Sequence, residues 1–253
     1  MNYRLHTHFS AGDSLIHRLD PRTKIIVTLC FTILVVSTPP NHLLAFVVFA
    51  GLLSWVVAAA RIPLLHIVWR AAAVLPFSVL AACWLPFLRE GPVLQLGQGL
   101  VELSVTGLWL FVGVVIKSFL GASAAILLAS VTPFHVLLTG LRRLHMPAIL
   151  VDMLTLTYRY LFVLWEEAVR LRRAAAARGY RPRWLGQALL VGRLIGQLFM
   201  RSYERAERVY GAMVLRGYRG EMPIGQTLRL STLDLIILAF VPTLLVGVRT
   251  LLR

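Results

Sequence analysis

The tetrapeptide Arg-Gly-Tyr-Arg stands twice in the chain, at residues 178–181 and again at 216–219. Each copy closes a long, arginine-studded helical pattern, with an alanine one turn upstream of its first arginine (Ala174 and Ala212). The chemistry open to such a pair is docking. A guanidinium presents a rigid planar fork of donors to carboxylates or to helix-end carbonyls. An Arg-Gly pair also ends a helix unaided: glycine suits the left-handed position past the last turn, and arginine is favourable at the negative helix end. Capping accounts for one copy. An identical second copy points to something paired or two-lobed outside the chain.

No other set of residues offers catalysis. The nearest string to a phosphate loop runs from Gly113 to Lys117 and Ser118. It lacks a glycine before the lysine and lies within an apolar run, so any energy from ATP must come from a separate subunit. His6 and His8 are two ligands on a terminus, and His17, His42, His66, His135 and His145 form no spaced cluster. Cys30 and Cys83 lie in apolar runs without metal-type spacing, and no disulfide is expected. The expectation is a non-catalytic chain with no metal site and no cofactor of its own. Glu102 and Asp234 fall near the ends of predicted spans. Lys117 is the one deeply placed charge, a functional candidate by default, with snorkelling or an earlier span end as the structural alternative.

The groups that must position the two arginines are read from composition. Of 253 residues, 58% are hydrophobic, and the mean hydropathy is +0.76. A soluble domain is nearer about 45–50% apolar, so the chain reads as a membrane protein. The net charge of +15 rests on arginine, with lysine only at Lys24 and Lys117. Beside long uncharged apolar runs, this excess reads as cytoplasmic loops under the positive-inside rule and not as a nucleic-acid surface. The first residues, with Arg4, His6, His8, Asp13 and Arg18, do not read as a cleavable leader.

A span needs roughly 20 apolar residues as helix. Four candidates occupy 24–38, 42–60, 67–88 and 101–131, and a fifth lies at 233–248. Pro39 and Pro40 end the first, Pro76 and Pro86 interrupt the third, and residues 89–99 read as a loop. The fold class is an all-α polytopic membrane protein with about five spans. Residues 1–131 hold the N-terminal segment and four spans, 132–230 a cytoplasmic helical block, and 231–253 the last span. Basic residues at 4, 18, 22 and 24, at 61 and 70, and at 142 and 143 place the N-terminus in the cytoplasm; Arg249 and Arg253 then fall outside.

Within 132–230, a short helix is predicted at 133–144 and two long ones at 148–178 and 184–216, crossing each other beneath the membrane. On the first long helix an apolar stripe runs through Leu150, Met153, Thr157, Leu161, Leu164, Ala168, Leu171 and Ala175, and Glu166 is expected to pair with Arg170. On the second, the inner stripe is Leu185, Leu189, Gly192, Gly196, Phe199, Tyr203, Ala206, Tyr210 and Met213. Gly192 and Gly196 form a small-xxx-small step for close helix approach.

At the two Arg-Gly copies the chain resembles the transmembrane T component of energy-coupling factor (ECF) transporters, in particular the cobalt/nickel type of the CbiQ family. That family carries Ala-Arg-Gly-type motifs at the ends of long coupling helices. Here they match Ala177-Arg178-Gly179 and Leu215-Arg216-Gly217, the second departing at its first residue. Asp20 and Arg22, in the string Asp-Pro-Arg-Thr-Lys, resemble the family's approach to its first span. Tyr158-Arg159-Tyr160 and the segment holding Arg201, Glu204 and Arg208 resemble the cobalt type.

The resemblance implies a coupling subunit. Its partners would be two ABC ATPases and one substrate-binding S component in the same bilayer, with a small accessory membrane subunit in some assemblies. ATP and magnesium would be bound by the ATPases and a divalent cobalt or nickel ion carried by the S component. The expected location is the cell membrane. Two alternatives stand: a T component serving a vitamin transporter, and a non-transport membrane anchor whose cytoplasmic helices recruit a soluble partner. The topology is testable by cysteine labelling of intact cells: positions 14 and 181 are expected to stay protected and position 91 to react, whereas outside labelling at 181 would overturn the arrangement.

Overall fold

A computed structural model describes residues 14, 16, 19–87, 93–96, 101–179, 188–222 and 231–251. His6 and His8, Arg181 and positions 184–187 of the second long helix lie outside these. The described residues are almost wholly helical. In chain order the helices are α1 (Pro21–Ser37), α2 (Leu43–Ala59), α3 (Leu64–Ala72), α4 (Leu75–Ala82), α5 (Val105–Val131), α6 (Phe134–Arg143), α7 (Ala148–Ala177), α8 (Ala188–Leu215) and α9 (Thr232–Leu251). The chain divides into two compact units, residues 1–140 with 227–253, and residues 141–226.

In the first unit, sequence dictates most helix ends. Pro21 occupies the first turn of α1, and Asp20 caps it by accepting from the Arg22 N–H at 2.9 Å. The end is set by Pro39, which forces Thr38 into an extended conformation. The Thr38 hydroxyl donates back to the Leu34 carbonyl at 2.7 Å. The span predicted at 67–88 is instead α3, α4 and a 3-10 turn at Leu85–Phe87, because Pro76 cannot donate its backbone bond within a continuous helix. Part of the expected loop at 89–99 is a strand: Val93–Leu96 pairs antiparallel with Val101–Ser104, Val93 opposite Ser104 and Leu96 opposite Val101. This moves the start of α5 to Val105, where the Ser104 hydroxyl caps it by accepting from the Gly107 N–H at 3.3 Å.

α5 is the central post, packing against α1, α2, α3 and α4. One core cluster joins Phe31, Val35, Phe46 and Phe49 to Leu120 and Ala124 of α5, with Phe31 and Phe49 edge to face at 6.0 Å. A second joins Val57, Ile62 and Ile67 to Leu127 and Val131. Outside these clusters, large apolar side chains face outward, among them Val47, Trp55, Leu65, Trp69, Phe77 and Trp84. Such a girdle is untenable in water and natural in lipid. Among the described residues, three stretches are by length and composition apolar enough to cross a membrane: Leu64–Phe87, Val105–Val131 and Ala148–Ala177, the last of them within the segment that the sequence reads as a cytoplasmic block. The 17-residue α1 and α2 reach roughly 25 Å, near the lower limit of a span.

Two polar contacts join distant segments of this unit. The Asp20 N–H donates to Asp234 Oδ1 at 3.0 Å, while Asp234 Oδ2 accepts from the Ser231 N–H at 2.9 Å. Asp20 and Asp234 are both buried. The starts of α1 and α9 are therefore adjacent. Lys117 donates to the Val36 carbonyl at 2.9 Å, so the deep charge noted in the sequence satisfies the free end of α1.

Gly107 marks the closest backbone approach: a Cβ there would collide with the carbonyl oxygen of Leu85, whereas one at Gly51 meets open space. Gly107→Ala is expected to cost about 1–3 kcal/mol through backbone displacement. Gly51→Ala should be neutral or stabilise by up to about 1 kcal/mol through helix propensity. Thermal unfolding of the purified protein in detergent separates the two.

Candidate coupling surface

In the second unit, α7 changes character at its middle. Up to Trp165 it is largely apolar; from Glu166 onward come Glu167, Arg170, Arg172, Arg173 and Arg178. α7 and α8 pack against each other. Their strongest polar contact is between Glu167 of α7 and Arg201 of α8, an ion pair with a direct hydrogen bond. Glu167 is buried, and Arg170 adds a second guanidinium at 3.6 Å.

The apolar stripes predicted on these helices are covered only in part. On α7, Leu171 is buried and Leu164, Ala168 and Ala175 are half-buried, whereas Leu150, Met153, Thr157 and Leu161 are exposed. On α8, Met213 is half-buried, Phe199, Tyr203, Ala206 and Tyr210 are exposed, and a Cβ at Gly192 or Gly196 would meet nothing. The half-buried face of α8 is instead Leu194, Leu198, Ser202, Arg205, Val209 and Met213, a row spaced three and four apart. Periodicity finds an apolar face but cannot say whether the chain itself covers it. Side chains of Leu185 and Leu189 lie outside the described residues.

Both motif helices end as glycine caps. Arg178 closes α7, and Gly179, at φ +83°, donates its N–H to the Ala176 carbonyl at 3.0 Å. The run of alanines from Ala174 to Ala177 keeps α7 helical up to that point. At the second copy, Gly217 at φ +85° donates to the Val214 carbonyl at 2.9 Å, and the Tyr218 N–H donates to the Met213 carbonyl at 3.0 Å. This is the paired bonding of a Schellman end. A Cβ at either glycine would meet open space, so backbone conformation alone selects glycine.

The caps leave the arginine side chains outward. Arg178 and Arg216 are exposed, and among the described residues neither guanidinium makes an ion pair. Ala177 is exposed, and Leu215 stands 91% exposed beside Arg216. Each tip thus offers a free guanidinium next to bare apolar surface.

The other residues singled out in the sequence are not all gathered here. Asp20 and Arg22 belong to the first unit, where they cap α1. Tyr158 stacks edge to face on Phe162 at 5.3 Å, and Arg159 sits over the Tyr160 ring at 6.0 Å. Glu204 and Arg208 pair with each other at 3.9 Å on the exposed side of α8. Glu167 escaped the sequence reading. Its signal was available: it falls beside Leu164, Ala168 and Leu171 on a face that is partly buried, where a carboxylate needs a cation.

Taken together, these features define a polytopic membrane protein bearing a helical module with two arginine-tipped ends. Comparison with known proteins makes the assignment particular. The family model for CbiQ, cobalt transport protein, matches residues 12–226. A cobalt transport protein CbiQ of Rhodobacter capsulatus is 33% identical over 210 residues, covering 81% of this chain and 80% of that one. The energy-coupling factor transporter transmembrane protein EcfT of Listeria innocua is 26% identical over 223 residues, covering 83% and 82%. A nickel permease LarQ of Lactiplantibacillus plantarum is 36% identical over 115 residues, covering 40% and 39%. The chain belongs to the CbiQ family of cobalt transport proteins.

The buried and exposed ion pairs should respond differently to neutralisation. Glu167→Gln is expected to lower the thermal midpoint at neutral pH. Glu204→Gln should change stability by no more than about 0.5 kcal/mol. Thermal melts of the two variants in detergent read the difference directly.

Proposed function

We propose that this chain is the transmembrane coupling subunit of an ECF-type importer for divalent cobalt or nickel. The observation that carries the proposal is the pair of matched, outward-facing Arg-Gly helix ends on two helices joined by the ion pair of buried Glu167 with Arg201. Two such tips suit two equivalent sockets, and two ABC ATPases supply them. Each socket would meet an arginine with carboxylates or helix-end carbonyls and cover the neighbouring apolar surface. A rigid helix pair held at both tips turns closure of the ATPases into motion of the unit to which it belongs. The family's membrane unit would pass that motion to a substrate-binding S component.

In this reading the chain contributes no catalytic group. ATP and magnesium bind the ATPases, and the metal ion is cargo held by the S component. The chain sits in the cell membrane with the N-terminus cytoplasmic, and an even number of spans before the helical module would let α1 and α9 start side by side as they do. The names of the relatives support cobalt or nickel as cargo. The likeness to EcfT, named only for energy coupling, keeps a vitamin importer as the second reading.

The test is charge reversal at both tips. Arg178→Glu with Arg216→Glu should leave the protein in the membrane yet reduce ATPase co-purification and ATP-driven uptake by roughly tenfold or more. Each single reversal should be milder. Full assembly and transport by the double variant would refute the coupling role. Radioactive cobalt and nickel uptake by the intact complex, in cells lacking their own system, separates metal from vitamin cargo.

A further inference from the structure

The second Arg-Gly motif is followed by a segment whose backbone is gripped by side chains from elsewhere in the same unit. Beyond Gly217 the chain turns through Gly220, at φ +93°, to Met222. The Met222 N–H donates to Asp152 Oδ2 at 2.9 Å. Its carbonyl accepts from Arg142 Nη1 at 2.6 Å. The two gripping side chains are themselves paired, Arg142 Nη1 to Asp152 Oδ1 at 3.3 Å. Arg142 Nη2 also lies 3.7 Å from Glu221 Oε2. Asp152 is only 4% exposed, and both of its oxygens are engaged.

This arrangement does more than bury a charge safely. A carboxylate and a guanidinium paired side by side present one free acceptor and one free donor, the complement of a backbone N–H and C=O. At position 222 the pair therefore reads main chain, and any residue but proline could stand there. Arg142 lies in the last turn of α6 and Asp152 in the second turn of α7. The grip thus joins the α6–α7 corner to the segment leaving the tip of α8, six residues past Arg216.

We propose that Arg142 and Asp152 are positioning residues for the second Arg-Gly motif, clasping the Met222 backbone so that the Arg216 tip moves with the α6–α7 corner. The inference rests on the coupling reading, for it gives one of the two tips a fixed mechanical ground. Loss of the clasp leaves the docking arginine present and exposed. What is lost is the transmission of its displacement.

The test uses the intact complex in proteoliposomes, with Cys30→Ser and Cys83→Ser and a nitroxide attached at Arg219→Cys. Arg142→Gln and Asp152→Asn are expected to leave the subunits assembled and ATP hydrolysis present. Both should raise nitroxide mobility at position 219 and reduce uptake per ATP hydrolysed by roughly fivefold or more. A control label at the exposed Arg170→Cys should not change. Arg142→Lys, which keeps a donor for the Met222 carbonyl, should recover much of the coupling. An unchanged label at 219, or a mobile label with uptake per ATP unchanged, would overturn the proposal. Should Arg142→Gln fail to assemble, the near-isosteric Asp152→Asn decides between the same outcomes. Absence of ATPase from the complex before any variant is made would count against the coupling reading itself.

Discussion

A helix leaves its first amides and last carbonyls without partners, and where lipid replaces water nothing outside the protein supplies them. Much of the placement of charge in this chain answers that constraint. Asp20 caps α1 and Asp234 serves the start of α9, and a single bond between them makes two helix starts into one structural point. Lys117 supplies the opposite end of α1. In the helical module the same demand is met by glycine caps, which need no side chain. The buried carboxylates Asp20, Asp152 and Asp234 thus serve the chain's own backbone, whereas Arg178 and Arg216 make no ion pair among the described residues.

That constraint also explains what the sequence disclosed. Helix ends were legible because their signals are local. Asp20 and Pro21, Pro39 after Thr38, and the two Arg-Gly pairs each state a boundary in two or three residues. The break between α3 and α4 was visible as Pro76, although its effect was read as an interruption and not as two helices. The strand at Val93–Leu96 was hidden in a stretch rich in glycine and proline, and with it the true start of α5.

Facing was much less legible. The stripe through Phe199, Tyr203 and Tyr210 has the period of a buried helix face, yet the chain leaves it open. An apolar face looks the same in sequence whether its cover comes from the same chain, a neighbouring protein or lipid. Contacts made by charge across long separations were harder still. Glu167 meets Arg201 from another helix, and Arg142 with Asp152 meets the main chain of Met222, which the residue type at that position does not announce. The tips were therefore readable, while the parts that hold them in place required the fold.

The glycine caps carry a consequence for how such a chain can vary. An arginine can be replaced by lysine with the charge kept, and a leucine by methionine with the bulk kept. Every missense change at a glycine adds a Cβ, and at φ +83° and +85° any Cβ is strained. Positions 179 and 217 thus have no conservative neighbour one codon step away. The surroundings are empty, so the barrier is not one that compensating changes in nearby side chains can lower. Divergence of the two helix ends is channelled into the residues beside the glycines, where Ala177 stands in one copy and Leu215 in the other.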